Sequence, residues 1–279
     1  MFSFSLLSGI NLSATSEDVK NLLDNTPDSF DRRAALSDIF SFMDYTSLDA
    51  TDNPEKIKKL CQKARSFGEK GLPYPAAVCI YPPFISIARH ALAGSPIKVA
   101  TVAAAFPHGQ MPIGTKVAEV KFAVDEGADE IDVVISRGTL LDKKYHVVFR
   151  EIDLIREAAG EKTLKVILET GELATAEAIA RASEIAIEAG ADFIKTSTGK
   201  VNPAATEDAV FLMLQVILAH YRKSGKKVGI KPAGGITDPD KALAYYKLVY
   251  GVLGKEWITR DLFRIGASRL ADTLVELIS

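Results

Sequence analysis

Eight short runs of β-branched and other apolar residues recur along most of the chain, each followed by a stretch with helical periodicity. Several runs are apolar at nearly every position, as expected for parallel strands that are buried on both faces. The predicted strands span 39–46, 76–82, 98–106, 130–136, 163–170, 192–198, 227–234 and 262–268. Strands that alternate with helices in this way favour a parallel α/β fold.

Eight consecutive βα units predict an α/β fold of the (β/α)8 TIM-barrel class over residues 39–279. Gly190 ends the helical stretch 175–190, and Gly127 ends the helix before the fourth strand in the same way. An open, doubly wound sheet is the alternative, but no GxGxxG motif follows the first strand. Residues 1–38 form a short helical N-terminal extension, which we expect to cover the bottom of the barrel or to make a subunit contact.

Charge and composition argue against several classes of partner. The 34 basic and 36 acidic residues nearly balance, so we expect no binding to nucleic acid or to an anionic membrane. The longest uncharged stretch, 72–88, contains four prolines, which break a membrane-spanning helix. No Lys or Arg precedes Lys20, which argues against a secretory signal. Cys61 and Cys79 are too few for a disulfide framework, and we expect a reduced, cytoplasmic protein.

Three charged residues interrupt strands that are otherwise apolar: Asp132, Lys195 and Lys231. Side chains alternate between the two faces of a strand, and isoleucine or valine flanks each of the three. If those apolar neighbours face the helices, the charged groups all point into the barrel lumen. Lys165 in the fifth strand is a candidate third lysine there. Because TIM barrels carry their catalytic groups at the carboxyl ends of the strands, these residues are the candidates for chemistry.

A buried structural ion pair is the simplest explanation of these charges, but desolvation commonly cancels the gain from such a pair. Schiff-base chemistry gives the arrangement a use, because a lysine attacks a carbonyl only as the neutral amine. The ordinary lysine pKa of ~10.4 keeps the group protonated at pH 7. A second ammonium about 4 Å away opposes protonation by about 4 kcal/mol at an effective dielectric constant of about 20. Half of that energy lowers the pKa by more than about one unit, so paired lysines predict a Schiff-base nucleophile.

Four motifs in these segments resemble those of the 2-deoxyribose-5-phosphate aldolases. They are GADFIKTSTGK at 190–200, VGIKPAGGI at 228–236, GADEIDVVIS at 127–136 and PAAVCIYPPFI at 75–85. The resemblance runs from about Phe42 to Leu270, so it covers nearly the whole predicted barrel. Each motif is long, and their order along the chain is the order found in the family.

The resemblance implies a class I aldolase without a metal or other cofactor. Its reaction is the reversible cleavage of 2-deoxy-D-ribose 5-phosphate to acetaldehyde and D-glyceraldehyde 3-phosphate, in deoxyribonucleotide and deoxyribose catabolism. On this basis Lys195 is the Schiff-base lysine and Lys231 lowers its pKa and takes part in proton transfer. Asp132 is the general acid and base, acting through an ordered water.

We expect the substrate phosphate to bind at glycine-rich turns after the last three strands, where backbone N–H groups approach an anion closely. The candidate residues are Thr198, Gly199 and Lys200 after strand six, Gly234 and Gly235 after strand seven, and Gly266 and Ser268 after strand eight. By the same resemblance Asp44, Thr46 and Lys165 lie near the substrate. Turn or capping hydrogen bonds remain an alternative role for Asp44 and Thr46.

The chain departs from the family pattern at two places. Arg269 stands where the family has a second serine after GAS, and it either reinforces the phosphate contact or faces solvent. The chain ends in LVELIS, without the tyrosine-terminated tail of some relatives, so the contribution of such a tail to proton transfer is in doubt.

Three other functions stay open on the residues alone. One is a Schiff-base aldolase for another sugar phosphate, and one is a catalytically silent barrel that binds sugar phosphates. A metal-dependent aldolase is the third, but the four histidines are scattered and predict no metal site. The expected partners are a small phosphorylated sugar and acetaldehyde, and the oligomeric state is open, with a homodimer possible.

Overall fold

The computed structural model describes residues 6–10, 12, 16–25 and 30–279, and strands alternate with helices along this part of the chain. Its eight strands are β1 Met43–Thr46, β2 Ala77–Ile80, β3 Lys98–Ala103, β4 Glu130–Val134, β5 Thr163–Ile167, β6 Phe193–Lys195, β7 Gly229–Lys231 and β8 Ile265–Ala267. All pairs between neighbouring strands are parallel. The predicted (β/α)8 TIM-barrel class is confirmed.

The strands pair in sequence order, and β8 pairs with β1. Backbone hydrogen bonds and isolated bridges join β7 to the chain that leads into β8, so the sheet closes into a barrel. In the register of the sheet Asp132 lies beside Lys165, and Lys195 lies beside Lys231. The closed barrel therefore brings the charged residues of its strands together inside one lumen.

Helices follow the strands and begin and end at residues suited to those positions. The Thr175 side chain accepts from Ala178 N at 3.1 Å at the start of the helix that Gly190 ends. Gly127 and Gly190 both have a positive φ, 92° and 93°, a conformation that glycine adopts without strain. In the described chain the helices are α1 Ser16–Asp24, α2 Arg32–Ser41, α3 Pro54–Glu69, α4 Ile85–Ala91, α5 Ile113–Asp125, α6 Arg137–Leu141, α7 Tyr145–Ala159, α8 Ala176–Glu188, α9 Glu207–Ser224, α10 Pro239–Leu253 and α11 Leu270–Ile278.

The observed strands are shorter than predicted. The first was expected to begin at residue 39, but Ile39 and Phe40 belong to α2, where Leu36 lies on the same buried side. One apolar run thus contains the end of a helix and the start of a strand, and periodicity does not separate them. The other predicted strands extend by up to three residues into the loops that follow, and most of those loop residues are buried although some, such as Glu169 and Thr196, are polar.

The described part of the N-terminal extension packs against the outer helices. The turn at Leu6–Gly9 contacts α8 and α9, α1 contacts α9 and α10, and α2 contacts α10 and α11. The Ser16 hydroxyl donates to Asp208 of α9 at 2.9 Å. The extension therefore lies along the helical layer beside α8 to α11 in this region. Whether residues 1–38 form a separate unit stays a prediction.

Apolar side chains fill two separate regions. The larger core lies between the strands and the helices. A smaller cluster of Leu48, Ala77, Cys79, Ala100 and Val102 is associated with β1, β2 and β3. Charged residues of the strands lie beside this cluster in the sheet register, where Asp44 pairs with Ala77 and Asp132 pairs with Val102. The lumen therefore contains an apolar region next to an ionic one.

Both cysteines, Cys61 and Cys79, are buried and free. Among the described residues, no helix combines the length and the apolar character that crossing a membrane requires.

Candidate active site

A cleft of about 470 Å³ opens at the carboxyl ends of the strands. Lys195, the last residue of β6, lies at its wall and is 3% exposed. The ends of β1 and β8, the start of α3 and the loops after β1, β6, β7 and β8 supply the rest of the lining, which includes Thr46, Lys56, Thr198, Gly199, Lys200, Gly234, Gly235, Gly266, Ser268 and Arg269. The cleft thus joins a buried amine to the three predicted glycine-rich turns.

Asp132 is the centre of the ionic side of the lumen. Its Oδ2 accepts from Lys195 Nζ and from Lys231 Nζ, each at 2.7 Å, and its Oδ1 accepts from Lys165 Nζ at 2.8 Å. All four side chains are almost completely buried. Because one oxygen accepts from both Nζ atoms, the carboxylate fixes the position of Lys195 relative to Lys231. The structure therefore brings Asp132 into contact with Lys195 and Lys231, and Lys165 is the third lysine at the same carboxylate.

A second group of charges lies deeper in the lumen. Arg264 donates to Asp44 Oδ1 at 2.7 Å and to both Glu130 oxygens, at 2.7 and 3.0 Å. Lys165 Nζ lies 2.6 Å from Glu130, and Lys231 Nζ contacts Asp44. Every ionised group here has at least one partner of opposite charge, as burial demands. This deeper group holds Lys165 and Lys231, two of the three lysines that contact Asp132.

The lumen charges balance when one base is neutral. The lumen holds three carboxylates, those of Asp44, Glu130 and Asp132. It also holds four basic side chains, those of Lys165, Lys195, Lys231 and Arg264. Burial lowers the pKa of Lys195 below its ordinary value, and although Asp132 attracts the ammonium, the repulsion from Lys231 adds to the lowering. Burial is thus a larger cause than the second lysine, on which the sequence argument relied.

The other two lysines behave in the opposite way. Burial alone would lower the pKa of Lys231, but Asp132 and Asp44 outweigh it and raise that pKa above its usual range. Burial is likewise outweighed at Lys165, where Asp132 and Glu130 raise the pKa. These lysines stay charged at neutral pH, and Lys195 is the lumen lysine most readily deprotonated.

The carboxylates stay ionised for the same reason. Burial would raise the pKa of Asp132, but Lys165, Lys195 and Lys231 together hold it well below its ordinary value. At Asp44 the lysines and Arg264 outweigh burial and lower the pKa. Asp132 is therefore ionised at neutral pH and lies at hydrogen-bond distance from the Lys195 amine, where it is placed to exchange protons with it.

Two predicted substrate residues do not reach the cleft. Asp44 and Lys165 are completely buried, and their side chains belong to the ion network below Lys195. Thr46 does line the cleft, and its hydroxyl donates to Asp44 O at 2.7 Å. The structure thus places Thr46 where a substrate can touch it and places Asp44 and Lys165 where they support the lysines.

Part of the predicted phosphate-binding backbone is already engaged. Thr198 N donates to Glu169, Lys200 N donates to the Thr198 hydroxyl, and Gly266 N donates to Pro232 O. Four of the predicted residues have an N–H group without an acceptor in the described chain: Gly199, Gly234, Gly235 and Ser268. These four are the donors that remain for an anion.

The cationic side chains at the mouth of the cleft differ in whether they already have a partner. Lys200 Nζ donates to Leu48 O, and Lys56 Nζ pairs with Asp49 at 2.8 Å. Arg269, at the start of α11, is exposed and lines the cleft without a side-chain partner in the described chain. Arg269 is therefore the cation at the cleft that is open to a ligand.

Three site residues escaped the sequence argument. Glu130 lies two positions before Asp132, so the same strand alternation places it in the lumen. Arg264 precedes β8 and interrupts an apolar segment as the two catalytic lysine candidates do. Glu169 follows β5 and is completely buried. The alternation of side chains along a strand identifies Glu130 and Arg264 as lumen residues. Glu169 lies in a loop, where no such alternation indicates that its carboxylate is buried.

Fold and site together define a (β/α)8-barrel enzyme with a buried lysine amine at the carboxyl end of its sixth strand. The sequence profile of the DeoC/LacD family aldolases matches residues 29–245. The chain is also 44% identical over 243 residues to the deoxyribose-phosphate aldolase of Homo sapiens, covering 82% of this chain and 76% of that one. The chain therefore belongs to the DeoC/LacD family of aldolases, which are lyases.

Solved structures agree with the fold. The aldolase QR15 is 29% identical with a TM-score of 0.70, and the match covers 86% of this chain and 96% of that one. A deoxyribose phosphate aldolase from Aeropyrum pernix, described as having a unique tetrameric structure, is 23% identical with a TM-score of 0.70 and covers 95% of this chain and 99% of that one. At that lower identity the likeness supports the fold alone.

Proposed function

We propose that this aldolase cleaves 2-deoxy-D-ribose 5-phosphate reversibly to acetaldehyde and D-glyceraldehyde 3-phosphate through a Schiff base on Lys195. One observation carries the proposal. Lys195 reaches the cleft, has a lowered pKa, and touches an ionised carboxylate at 2.7 Å. An amine that is neutral at working pH and has an adjacent proton acceptor is what carbonyl addition requires.

The chemistry follows from these groups. The Lys195 amine adds to the substrate aldehyde at C1, and the carbinolamine loses water to give an iminium ion. The hydroxyl on C3 then loses its proton, the C2–C3 bond breaks, and its electron pair forms an enamine on the lysine. Protonation of the enamine at C2 and addition of water release acetaldehyde. Asp132 accepts and returns the protons at the amine, and Lys231 stays charged and opposes protonation of Lys195.

The other end of the substrate requires an anion site. Gly199, Gly234, Gly235 and Ser268 offer N–H donors on three adjoining turns, and Arg269 adds a cation. A phosphate at these turns lies on the same cleft as Lys195. Binding of the phosphate there orients the carbonyl end of the sugar toward the amine.

The apolar cluster fits the small donor fragment. Leu48 of this cluster lines the cleft and packs with the buried Cys79 and Val102, and Tyr81 packs edge-to-face against Phe106 with ring centroids 6.1 Å apart. A two-carbon fragment has a methyl group that gains from such a surface, whereas the hydroxyl groups of a larger ketose lose hydrogen bonds there. This supports acetaldehyde as the product left on the lysine.

Reductive trapping tests the proposal. The protein is incubated with acetaldehyde and borohydride, and digested peptides are examined by mass spectrometry. We expect an ethyl group on Lys195, no adduct in Lys195→Arg, and turnover of 2-deoxyribose 5-phosphate that persists in EDTA. The same assay with fructose 1,6-bisphosphate tests the alternative substrate. An adduct on another lysine, or faster turnover of the bisphosphate, would overturn the proposal.

The cellular setting is part of the proposal. Free buried cysteines and the absence of a charge excess support a cytoplasmic enzyme of deoxyribose catabolism. Exposed apolar side chains, with Met111, Phe122 and Leu141 each at least 46% exposed, support a homodimer.

A further inference from the structure

Glu169 occupies an unusual backbone position just after β5. Its φ is 58°, in the left-handed region that a residue with a side chain rarely adopts, and its carboxylate is completely buried. Such a conformation persists only where surrounding contacts fix it, and it is concentrated at functional sites. The contacts of Glu169 therefore indicate what the conformation serves.

The Glu169 carboxylate binds the turn that follows the Schiff-base strand. It accepts from Thr198 N at 3.2 and 3.3 Å and from the Thr198 hydroxyl. The same hydroxyl accepts from Lys200 N at 3.1 Å. One carboxylate thus fixes both ends of the three-residue turn, and Gly199, between them, keeps a free N–H in the described chain.

This turn also contacts the next phosphate-binding turn. A Cβ on Gly234 would lie 3.1 Å from the Cα of Gly199, so the two glycines approach closely. A shift of the turn after β6 therefore changes its spacing from the turn after β7. The spacing between the N–H groups of Gly199 and Gly234 therefore depends on the contact between Glu169 and Thr198.

Arg137 holds Glu169 in turn. Its Nη1 donates to Glu169 Oε2 at 3.1 Å, its Nε lies 3.0 Å from Glu172, and its Nη2 donates to His108 O at 3.3 Å. Glu172 is 40% exposed and makes no contact with Thr198 in the described chain. Two carboxylates thus share Arg137, and Glu169 alone connects it to the phosphate-binding turn.

We propose that Glu169 is a positioning residue that sets the turn Thr198–Gly199–Lys200 for the phosphate of the substrate. The inference rests on the proposed function, since it assigns a residue to the phosphate end of that site. Glu169 acts through Thr198 and reaches neither the carbonyl carbon nor Lys195. Its effect is therefore confined to phosphorylated ligands and absent for acetaldehyde.

The test is Glu169→Gln with Glu172→Gln as its matched control. A glutamine keeps the size of the side chain but removes the negative charge that strengthens the bonds from Arg137 and Thr198, and its NH2 group takes the place of the Oε1 that accepts from Thr198 N. We expect KM for 2-deoxyribose 5-phosphate to rise about 10-fold or more, with kcat within about 2-fold. The inhibition constant of inorganic phosphate should rise in parallel. Reductive trapping of acetaldehyde on Lys195 should proceed at the wild-type rate.

A second variant keeps the test informative if Glu169→Gln folds poorly. Glu169→Gly relieves the left-handed backbone and still removes the contact with Thr198, so it should share the loss of phosphate affinity. A wild-type KM in both Glu169 variants would overturn the inference. A rise in KM in Glu172→Gln as large as in Glu169→Gln would overturn it as well. A wild-type protein without a Lys195 adduct would overturn the proposed function instead, so the two failures are distinguishable.

Discussion

Asp132 and the three lysines that contact it show how the reactivity of one side chain depends on the charges around it. The Oδ2 atom of Asp132 binds both Lys195 and Lys231 at 2.7 Å, so the nucleophile is close to a permanent cation and to a permanent anion. Burial lowers the pKa of Lys195, the anion raises it and the cation lowers it, and the net result is a pKa below the ordinary value. Lysine reactivity at this site is therefore a property of the group of charges.

Replacing Lys231 by leucine should shift the pH dependence of Schiff-base formation. Lys231 lowers the pKa of Lys195, so its loss raises that pKa toward its ordinary value and leaves less neutral amine at pH 7. We expect acetaldehyde trapping by Lys231→Leu to be at least about 10-fold slower at pH 7 and to recover partly above pH ~9. The check is the trapping rate measured from pH 6 to pH 10.

Lys165→Leu is the matched control for that profile. It also removes a buried lysine from Asp132, but Lys165 is not among the main influences on the pKa of Lys195. We expect this variant to lose stability while keeping the wild-type midpoint of the trapping profile. An alkaline shift in Lys165→Leu as large as in Lys231→Leu would contradict a specific role for the second lysine.

Strand alternation in the sequence was sufficient to place some of these residues. Asp132, Lys195 and Lys231 were predicted to meet because charges inside apolar strands must face a common lumen, and their side chains are in contact. Alternation gives the face of a side chain but not its depth, so Asp44 and Lys165 were assigned to the substrate when they lie below the cleft. Depth depends on strand stagger, which no local pattern reports.

At the scale of elements, ion pairs cross the barrel between strands that share no hydrogen bonds. Arg264, beside β8, binds Glu130 of β4, and those strands lie on opposite sides of the eight-strand order. Arg264 also binds Asp44 of β1. These contacts fix the spacing across the lumen, which helix packing outside the barrel does not set. The strand ends themselves were predicted less well, because most of the loop residues that follow the paired ones are buried as well.

Arg264→Met should therefore destabilise the fold strongly. It leaves Glu130 and Asp44 buried with fewer partners, and breaking a buried pair in this way costs about 3–5 kcal/mol of unfolding free energy. Adding Glu130→Gln removes one of the carboxylates left without Arg264. The loss of unfolding free energy in the double variant should therefore be smaller than the sum of the two single losses by about 1 kcal/mol or more. Urea unfolding of the wild type, the two single variants and the double variant gives this coupling energy. Additive losses of unfolding free energy would argue against a direct contact between Arg264 and Glu130.

For the whole molecule, the lumen network makes stability depend on pH in a defined direction. The carboxylates Asp44, Glu130 and Asp132 have pKa values lowered in the folded state, because nearby cations outweigh burial. Their contribution is present above the unfolded pKa values near 4 and is lost as pH falls toward the folded ones. Lys165 and Lys231 have raised pKa values, so their contribution is present below pH ~10.5 and lost only above it.

The unfolding free energy should therefore fall steeply below about pH 4 and rise more gently toward alkaline pH, because the lowered pKa of Lys195 means that this lysine takes up a proton on unfolding. Three carboxylates that protonate only on unfolding give a slope of up to about 4 kcal/mol per pH unit, at about 1.4 kcal/mol for each. Trp257, the single tryptophan, is buried and reports unfolding by its fluorescence in urea. The variant Arg264→Met with Glu130→Gln has one carboxylate fewer, so its acid limb should be shallower than that of the wild type. Equal slopes would place the acid sensitivity outside the lumen, because the substitutions leave the surface carboxylates unchanged.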